Sequence, residues 1–233
     1  MFKHYSKLVI LGVFSMIIIA AGVTASAQQS GLAVPTGEQF EKNLSEEQMQ
    51  AVLTAQDYLT SIKSLKATFV QYNPGDSSLA NGTFYLSKPG KLRLEYEKPY
   101  KLDYYINGEN LIQYDHELDQ VARADIGNTP ISILTYDGVR LLDNPLMDVV
   151  GAGVNKNFFS IFLSTKRNDM EEITGLILNF QRFPVQLAGV ERVDAQGNKT
   201  DINFSAVKEN IEIDDDVFEF TRPRDAFPQM RFQ

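Results

Sequence analysis

Apolar and polar residues alternate through residues 82–114 with the period of two that is typical of β-strands with one solvated face. In the segment 91–96, Leu92, Leu94 and Tyr96 take one face and charged residues take the positions between them. Turn-forming sequences such as Lys88-Pro89-Gly90 separate successive runs. The pattern predicts at least four consecutive strands, with an apolar face large enough to line a cavity as well as a core.

The strand pattern extends to both sides of this segment. The predicted strands cover residues 66–72, 82–87, 91–97, 100–106, 111–114, 120–125, 158–165, 173–180, 185–194, 199–206 and 217–221. Short turns join most of the first six, which indicates an antiparallel meander with these strands in sequence order. The fold class expected is therefore mainly β, with about eleven strands in one curved antiparallel sheet, since so large a sheet curls.

Helical patterns occur at the start of the domain and in its middle. A capping box at Ser45 and Gln48 predicts an amphipathic helix over 45–63, whose apolar stripe packs on the sheet: Met49, Val52, Leu53, Leu59 and Ile62. A second helical segment, with Asn128 or Thr129 as cap and Pro130 at its first position, ends at Gly138. An apolar segment over 139–150 is predicted as a further broken helix. Such interrupted helices favour a movable lid over the apolar face of the sheet.

The first residues have the features of a cleavable signal peptide. Two lysines precede an apolar run, and Ala25-Ser26-Ala27 provides the small residues of a cleavage site, so cleavage is expected after Ala27. The domains expected are a signal peptide at 1–27, a flexible leader at 28–44 and one domain at 45–233. Loss of the two lysines of the signal peptide, which has no acidic residue, changes the net charge from -8 to -10. An exported acidic protein of this kind is not expected to bind nucleic acid.

The chain offers little for catalysis. It has no cysteine, which excludes disulfides and a lipid-bearing cysteine, and the expected mature chain has one histidine, His116. We interpret His116 as a solvated loop residue, and neither a nucleophile elbow of the Gly-x-Ser-x-Gly type nor a zinc-ligand set is present. We expect no enzyme activity, no metal and no cofactor. A histidine-dependent acyl hydrolase remains the least favoured alternative.

Residues 58–130 resemble the periplasmic outer-membrane lipoprotein carrier family, LolA. The matching segments are Tyr58-Leu59-x-x-Ile62-x-Ser64-Leu65-x-Ala67-x-Phe69-x-Gln71, Gly82-x-Phe84-Tyr85-Leu86-Ser87-Lys88-Pro89-Gly90, Gly108-x-x-Leu111-Ile112-x-Tyr114-Asp115 and Gly127-Asn128-Thr129-Pro130. The C-terminal segment Val217-Phe218-Glu219-Phe220-Thr221-x-Pro223 also fits, whereas residues 139–205 match only in strand pattern. The order and spacing of these segments, rather than any one of them, carry the resemblance.

The resemblance implies an unclosed barrel with a helical lid, present as a monomer in the periplasm. Its cavity would take the acyl chains of lipoproteins from an inner-membrane lipoprotein-releasing ABC transporter and pass them to an outer-membrane receptor. Such a carrier is needed because one sixteen-carbon chain left in water costs on the order of 12 kcal/mol, at about 0.8 kcal/mol per CH₂. A sensor domain of the same fold, which binds lipids or mislocalised lipoproteins, is the alternative.

The resemblance also assigns roles to residues. The residues expected to line the acyl cavity are Phe69, Phe84, Leu86, Leu92, Leu94, Tyr96, Leu102, Tyr104 and Ile112. Those expected in the lid are Ile131, Leu134, Leu141 and Leu142. The family usually has an arginine that hydrogen-bonds the lid where this chain has Lys88, so Lys88 is expected to form a weaker or different lid latch, because lysine lacks the planar fork of donors.

Overall fold

A computed structural model describes residues 44–74, 77–108, 110–125, 130–166, 175–194 and 196–222. The predicted signal peptide and nearly all of the leader lie outside these residues, as do Asn128 and Thr129. In the described part there is no helix that is long and apolar enough to cross a membrane.

The described residues form one helix, α1 (Glu46–Ser61), and an antiparallel sheet of eleven strands, which confirms the predicted fold class. The strands are β1 (Ser64–Asn73), β2 (Ser78–Ser87), β3 (Lys91–Tyr96), β4 (Leu102–Asn107), β5 (Asn110–Asp115), β6 (Gln120–Asp125), β7 (Met147–Val154), β8 (Phe158–Thr165), β9 (Gly175–Arg182), β10 (Val185–Val193) and β11 (Lys199–Glu209). Two short 3₁₀ helices lie at Pro130–Leu134 and Asp215–Phe218.

The first six strands are neighbours in sequence order, as predicted, but the sheet as a whole does not follow sequence order. The strand order is β6-β5-β4-β3-β2-β1-β11-β10-β9-β8-β7, because β1 pairs antiparallel with β11. The short hairpin connections determine which strands are neighbours within each half of the chain. They do not determine whether the first strand pairs with the last. As a result, β6 and β7 are the two edges of the sheet, and the chain between them must pass from one edge to the other.

The N-terminal capping box is confirmed. The Ser45 backbone N–H donates to Gln48 Oε1 at 2.9 Å, and the Gln48 N–H donates to Ser45 Oγ at 3.2 Å. The buried residues of α1 are Ala51, Val52, Ala55, Tyr58 and Leu59. Met49 and Leu53, which were expected in the buried stripe, are each 36% exposed, because two alanines take the positions that face the sheet.

Two predicted elements are wrong. One predicted helix is partly a strand, and one predicted strand is not a strand, so the predicted number of strands still agrees with the observed one. The segment 139–150 forms no helix, and its second part begins β7, where Val149 and Val150 suit a strand. The predicted strand 217–221 begins instead within a 3₁₀ helix, which is capped by Asp214 Oδ1 accepting from the Asp216 N–H at 3.1 Å. A consecutive run of Asp residues favours such a capped turn over a strand.

One apolar core joins both halves of the sheet to α1 and to the chain between the sheet edges. Its fully buried large side chains include Phe69, Phe180, Leu59, Leu86, Leu92, Leu134, Leu141, Met147 and Ile161. We call the sheet face packed on this core the inner face and the opposite one the outer face. Since residues from both arms of the sheet share the core, the sheet curls around it.

Candidate functional site

The inner face of β1–β5 is built from rows of side chains aligned by strand register. The first row runs across five strands as Leu65, Leu86, Leu92, Ile106 and Leu111. The second row is Ala67, Phe84, Leu94 and Tyr104, and the third is Phe69, Gly82 and Tyr96. At Gly82 an added Cβ would lie 2.2 Å from the Glu95 carbonyl oxygen and 2.5 Å from Cζ of Phe69, so the close approach of this ring requires glycine.

The predicted cavity residues lie on this inner face with one exception. Phe69, Phe84, Leu86, Leu92, Leu94, Leu102 and Tyr104 are buried, and Tyr96 is partly buried against the core. The placement of Ile112 is corrected: it pairs with Tyr105 and Arg123 on the outer face, and Leu111 takes the inner position. In a strand that contains Leu111-Ile112, alternation alone does not decide which of the two points inward.

The lid segment, which we define as residues 130–146, packs on the inner face. Leu134 and Leu141 are 2% and 1% exposed in the shared core, and Ile131 packs against it. Leu142 is 48% exposed, so it does not contribute to the buried side of the lid. The inner face and the lid therefore fill the space between them with their own side chains.

A few hydrogen bonds hold the lid segment at its margins. The Gly90 N–H, in the turn between β2 and β3, donates to the Thr135 carbonyl at 2.9 Å. The Leu141 N–H donates to Gln56 Oε1 of α1 at 3.0 Å. An exposed ion pair joins Lys63 and Asp137 at 3.3 Å. Neither Gly90 nor Gln56 was expected in the site; the sequence signal for Gly90 is the turn at Lys88-Pro89-Gly90, and Gln56 has none.

Lys88 bonds a different element from the one expected. Its ammonium donates to the Leu59 carbonyl in the last turn of α1, where a cation is favourable, and its backbone N–H donates to the Lys63 carbonyl at 2.8 Å. Burial lowers the pKa of Lys88 to about 8, opposed by the charge of Asp137. The described hydrogen bonds of Lys88 thus hold the end of α1, and none of them reaches the lid segment.

The far end of the inner face carries an aromatic and amide cluster. The Tyr96 hydroxyl donates to Gln71 Oε1 at 2.6 Å, and Gln71 Nε2 donates to Asn73 Oδ1 at 3.0 Å. The Tyr96 ring lies edge-on to Phe69 and Tyr104, with centroids 5.0 and 5.8 Å apart. Burial raises the pKa of both Tyr96 and Tyr104. Gln71, buried two residues after Phe69 on the same face, gives the otherwise apolar interior a polar end.

His116 lies in the turn after β5 and is exposed, as expected from the sequence, but its imidazole also has a buried partner. Its Nε2 lies 3.1 Å from Oδ2 of the buried Asp103, which also accepts from Arg93 Nη2 at 3.1 Å and from the Tyr105 hydroxyl at 2.9 Å. The Tyr114 ring lies 4.4 Å from the imidazole. This cluster lies on the outer face, away from the apolar interior. Among the described residues no group of three or more His, Cys, Asp or Glu side chains could hold a metal ion.

Comparison with known proteins yields a family match over most of the chain. The family described as "Outer membrane lipoprotein carrier protein LolA" matches residues 60–221. The outer-membrane lipoprotein carrier protein of Cupriavidus pinatubonensis is 29% identical over 187 residues, covering 73% of this chain and 83% of that protein. The protein of the same name from Chromobacterium violaceum is 28% identical over 208 residues, covering 87% of this chain and 93% of that protein.

A solved structure of a LolA superfamily protein from Nitrosomonas europaea is also similar, but only weakly. It has a TM-score of 0.44 and 9% sequence identity, and the likeness covers 74% of this chain and 98% of that chain.

Proposed function

The chain belongs to the LolA family, whose description is outer membrane lipoprotein carrier protein, and on that premise we propose that it carries acylated lipoproteins in its interior. The acyl chains would lie along the inner face of β1–β5 and would be released to the outer membrane. The chain would act by binding alone, without a catalytic step or a cofactor.

The observation that carries this proposal is the single core shared by the inner face and the lid segment. Leu134 and Leu141 of the lid are packed against the same apolar residues that an acyl chain would contact. Each methylene buried gains about 0.8 kcal/mol, but displacing two buried leucines loses about 1.5–3 kcal/mol for each. The net affinity is therefore lower than free burial would give, which suits a carrier that must release its cargo.

The proposed acyl contacts follow the placement of side chains on the inner face. They are Phe69, Phe84, Leu86, Leu92, Leu94, Tyr96, Leu102 and Tyr104, with Leu111 in place of Ile112. Ile131, Leu134 and Leu141 form the buried side of the proposed lid. Lys88 would influence loading or release by fixing the end of α1, and replacing it with leucine should change transfer while leaving the fold intact.

The proposed setting is the periplasm, with export by a signal peptide cleaved after Ala27. Cargo would come from an inner-membrane lipoprotein-releasing ABC transporter and would go to an outer-membrane receptor, with the carrier acting as a monomer. The absence of cysteine supports a carrier rather than a receptor anchored by its own lipid.

Native mass spectrometry of the protein isolated from its own periplasm tests the proposal. We expect a population with one triacylated protein bound, and a Leu94→Glu variant isolated in the same way should lack it. Recovery of the wild-type chain always empty, or only with free lipid, would contradict the proposal. Depletion then separates a carrier from a sensor, because loss of a carrier leaves outer-membrane lipoproteins on the inner membrane.

A further inference from the structure

A pocket of about 510 Å³ lies at one end of the interior, between the first turns of α1 and the ends of strands β7–β10. Its lining residues are Glu46, Glu47, Gln50, Ala51, Thr54, Val154, Phe159, Arg182, Phe183 and Val185. It does not include the inner-face residues of β1–β5 proposed to contact acyl chains. Pockets of this size hold small molecules or several side chains.

The floor of the pocket is continuous with the apolar core. Ala51 and Phe159 belong to the core, and Val154 and Val185 pack against it. Phe159 stacks on Phe180 with ring centroids 4.9 Å apart, and Phe180 is fully buried. The Phe159 ring therefore lies between the pocket and the fully buried interior. The pocket is thus a place where solvent reaches the side of the core.

The walls differ in charge. On the α1 side, Glu46 and Glu47 are exposed and have no ion-pair partner within the described ranges. On the opposite side, Arg182 Nη1 donates to the Asn155 carbonyl at 2.7 Å, and its guanidinium lies 5.6 Å from the ring centre of Phe183. Phe183, 75% exposed, forms an apolar rim. The pocket therefore combines an apolar floor and rim with two carboxylates on one wall.

We propose that this pocket receives the residues that follow the acylated residue of the cargo, and that Glu46 and Glu47 favour a segment with basic side chains. The inference rests on the proposed carrier function and adds a specificity for the cargo polypeptide. Charge complementarity supports the choice of ligand. The pocket is lined by two carboxylates and one guanidinium, so its net charge is negative. The guanidinium of Arg182 already contacts the Asn155 carbonyl and the Phe183 ring. The long stems of lysine or arginine would also pack on Phe183 and Val185.

Binding of synthetic lipopeptides tests this inference. The probes share one triacylated cysteine and differ in the following residues, which are all lysine, all serine or all glutamate. At low ionic strength we expect the lysine probe to bind about three- to tenfold more tightly than the serine probe, the range for two exposed ion pairs. The preference should disappear in about 1 M salt, where the screening length is about 3 Å.

Two double variants make the test specific to the pocket. Glu46→Gln/Glu47→Gln should lose the preference for lysine while binding the serine probe as the wild type does. The matched control, Asp57→Asn/Glu97→Gln, removes the same charge from exposed positions outside the pocket and should keep the preference. Circular dichroism should show that both variants retain α1, since these glutamates also stabilise its N-terminus.

The outcomes separate the inference from the proposed function. Equal affinity of the wild type for all three probes, or a preference that survives in Glu46→Gln/Glu47→Gln, would overturn the inference while leaving the carrier function in place. If both double variants lose the preference for the lysine probe equally, the preference comes from the acidic surface as a whole. That result would also overturn the inference. Failure of the wild type to bind any of the probes would instead contradict the carrier function.

Discussion

The backbone N–H of Gly90 donates a 2.9 Å hydrogen bond to the carbonyl of Thr135, which ties the turn between β2 and β3 to the lid segment. Gly90 has a φ of +78°, a left-handed conformation that residues with a side chain rarely adopt. The direction of this N–H, and with it its hydrogen bond to the lid segment, depends on the absence of a side chain at position 90.

Replacing Gly90 with alanine should loosen the lid. We expect a loss of about 1–2 kcal/mol in stability from the strained φ, together with faster hydrogen exchange across residues 130–146. Gly197→Ala is the matched control, because Gly197 has a φ of +80° and lies in the turn between β10 and β11. The control should lose similar stability without faster lid exchange; faster exchange in both variants would mean that the Gly90 bond has no special role.

Leu94→Glu should damage the interior. Leu94 is 4% exposed in the middle of the inner face, so the new carboxylate would be buried without a partner. We expect a loss of about 4 kcal/mol or more in the free energy of unfolding measured with urea, or a protein that does not fold. Leu79→Glu, at a position 61% exposed on β2, should change stability by less than about 0.5 kcal/mol. A stable Leu94→Glu protein that still binds acyl chains would refute the proposed lining.

The stability contributed by Lys88 should depend on pH. Its pKa is lowered to about 8 in the folded protein, from an ordinary value near 10.5, so between these values the unfolded chain binds more protons. Stability from this group therefore increases as pH rises from 8 towards 10. The wild-type protein should gain stability over that interval relative to Lys88→Met, in urea titrations at each pH. A constant difference between the two would show that the Lys88 ammonium is not perturbed by burial.

Replacements of Tyr96 and Gln71 should have strongly non-additive effects on the free energy of unfolding. Tyr96→Phe leaves Gln71 Oε1 in the interior without its 2.6 Å donor, which we expect to cost about 1–2 kcal/mol. Gln71→Leu removes the acceptor as well, so the double variant should be less destabilised than the sum of the single ones. Urea unfolding of the four proteins measures the coupling; additive losses would mean that the two side chains do not stabilise each other.

The sequence was informative where one local pattern decides the outcome. The limits of β6 (Gln120–Asp125) and β8 (Phe158–Thr165) agree with the predicted ones, and Ser45 caps α1 as its spacing with Gln48 indicates. Alternation also placed Leu92, Leu94 and Tyr96 together on one face, which is the inner face of the sheet. The family resemblance is confirmed by a match over residues 60–221.

The remaining features depend on contacts between distant segments, which no local pattern encodes. Alternation cannot decide between Leu111 and Ile112, and only pairing with β4 and β6 does. The apolar run that becomes β7 suits a helix or a strand equally well until β8 pairs with it. The bonds of Lys88 to Leu59 and of Gln56 to Leu141 join elements that have no recognisable relation in the sequence.

The pairing of β1 with β11 places the two edges of the sheet at β6 and β7. Because β6 and β7 lie at opposite ends of the strand order, no ladder hydrogen bond joins them in the described sheet. The two edges are therefore connected through side-chain packing in the shared core, and not through backbone hydrogen bonds of the sheet.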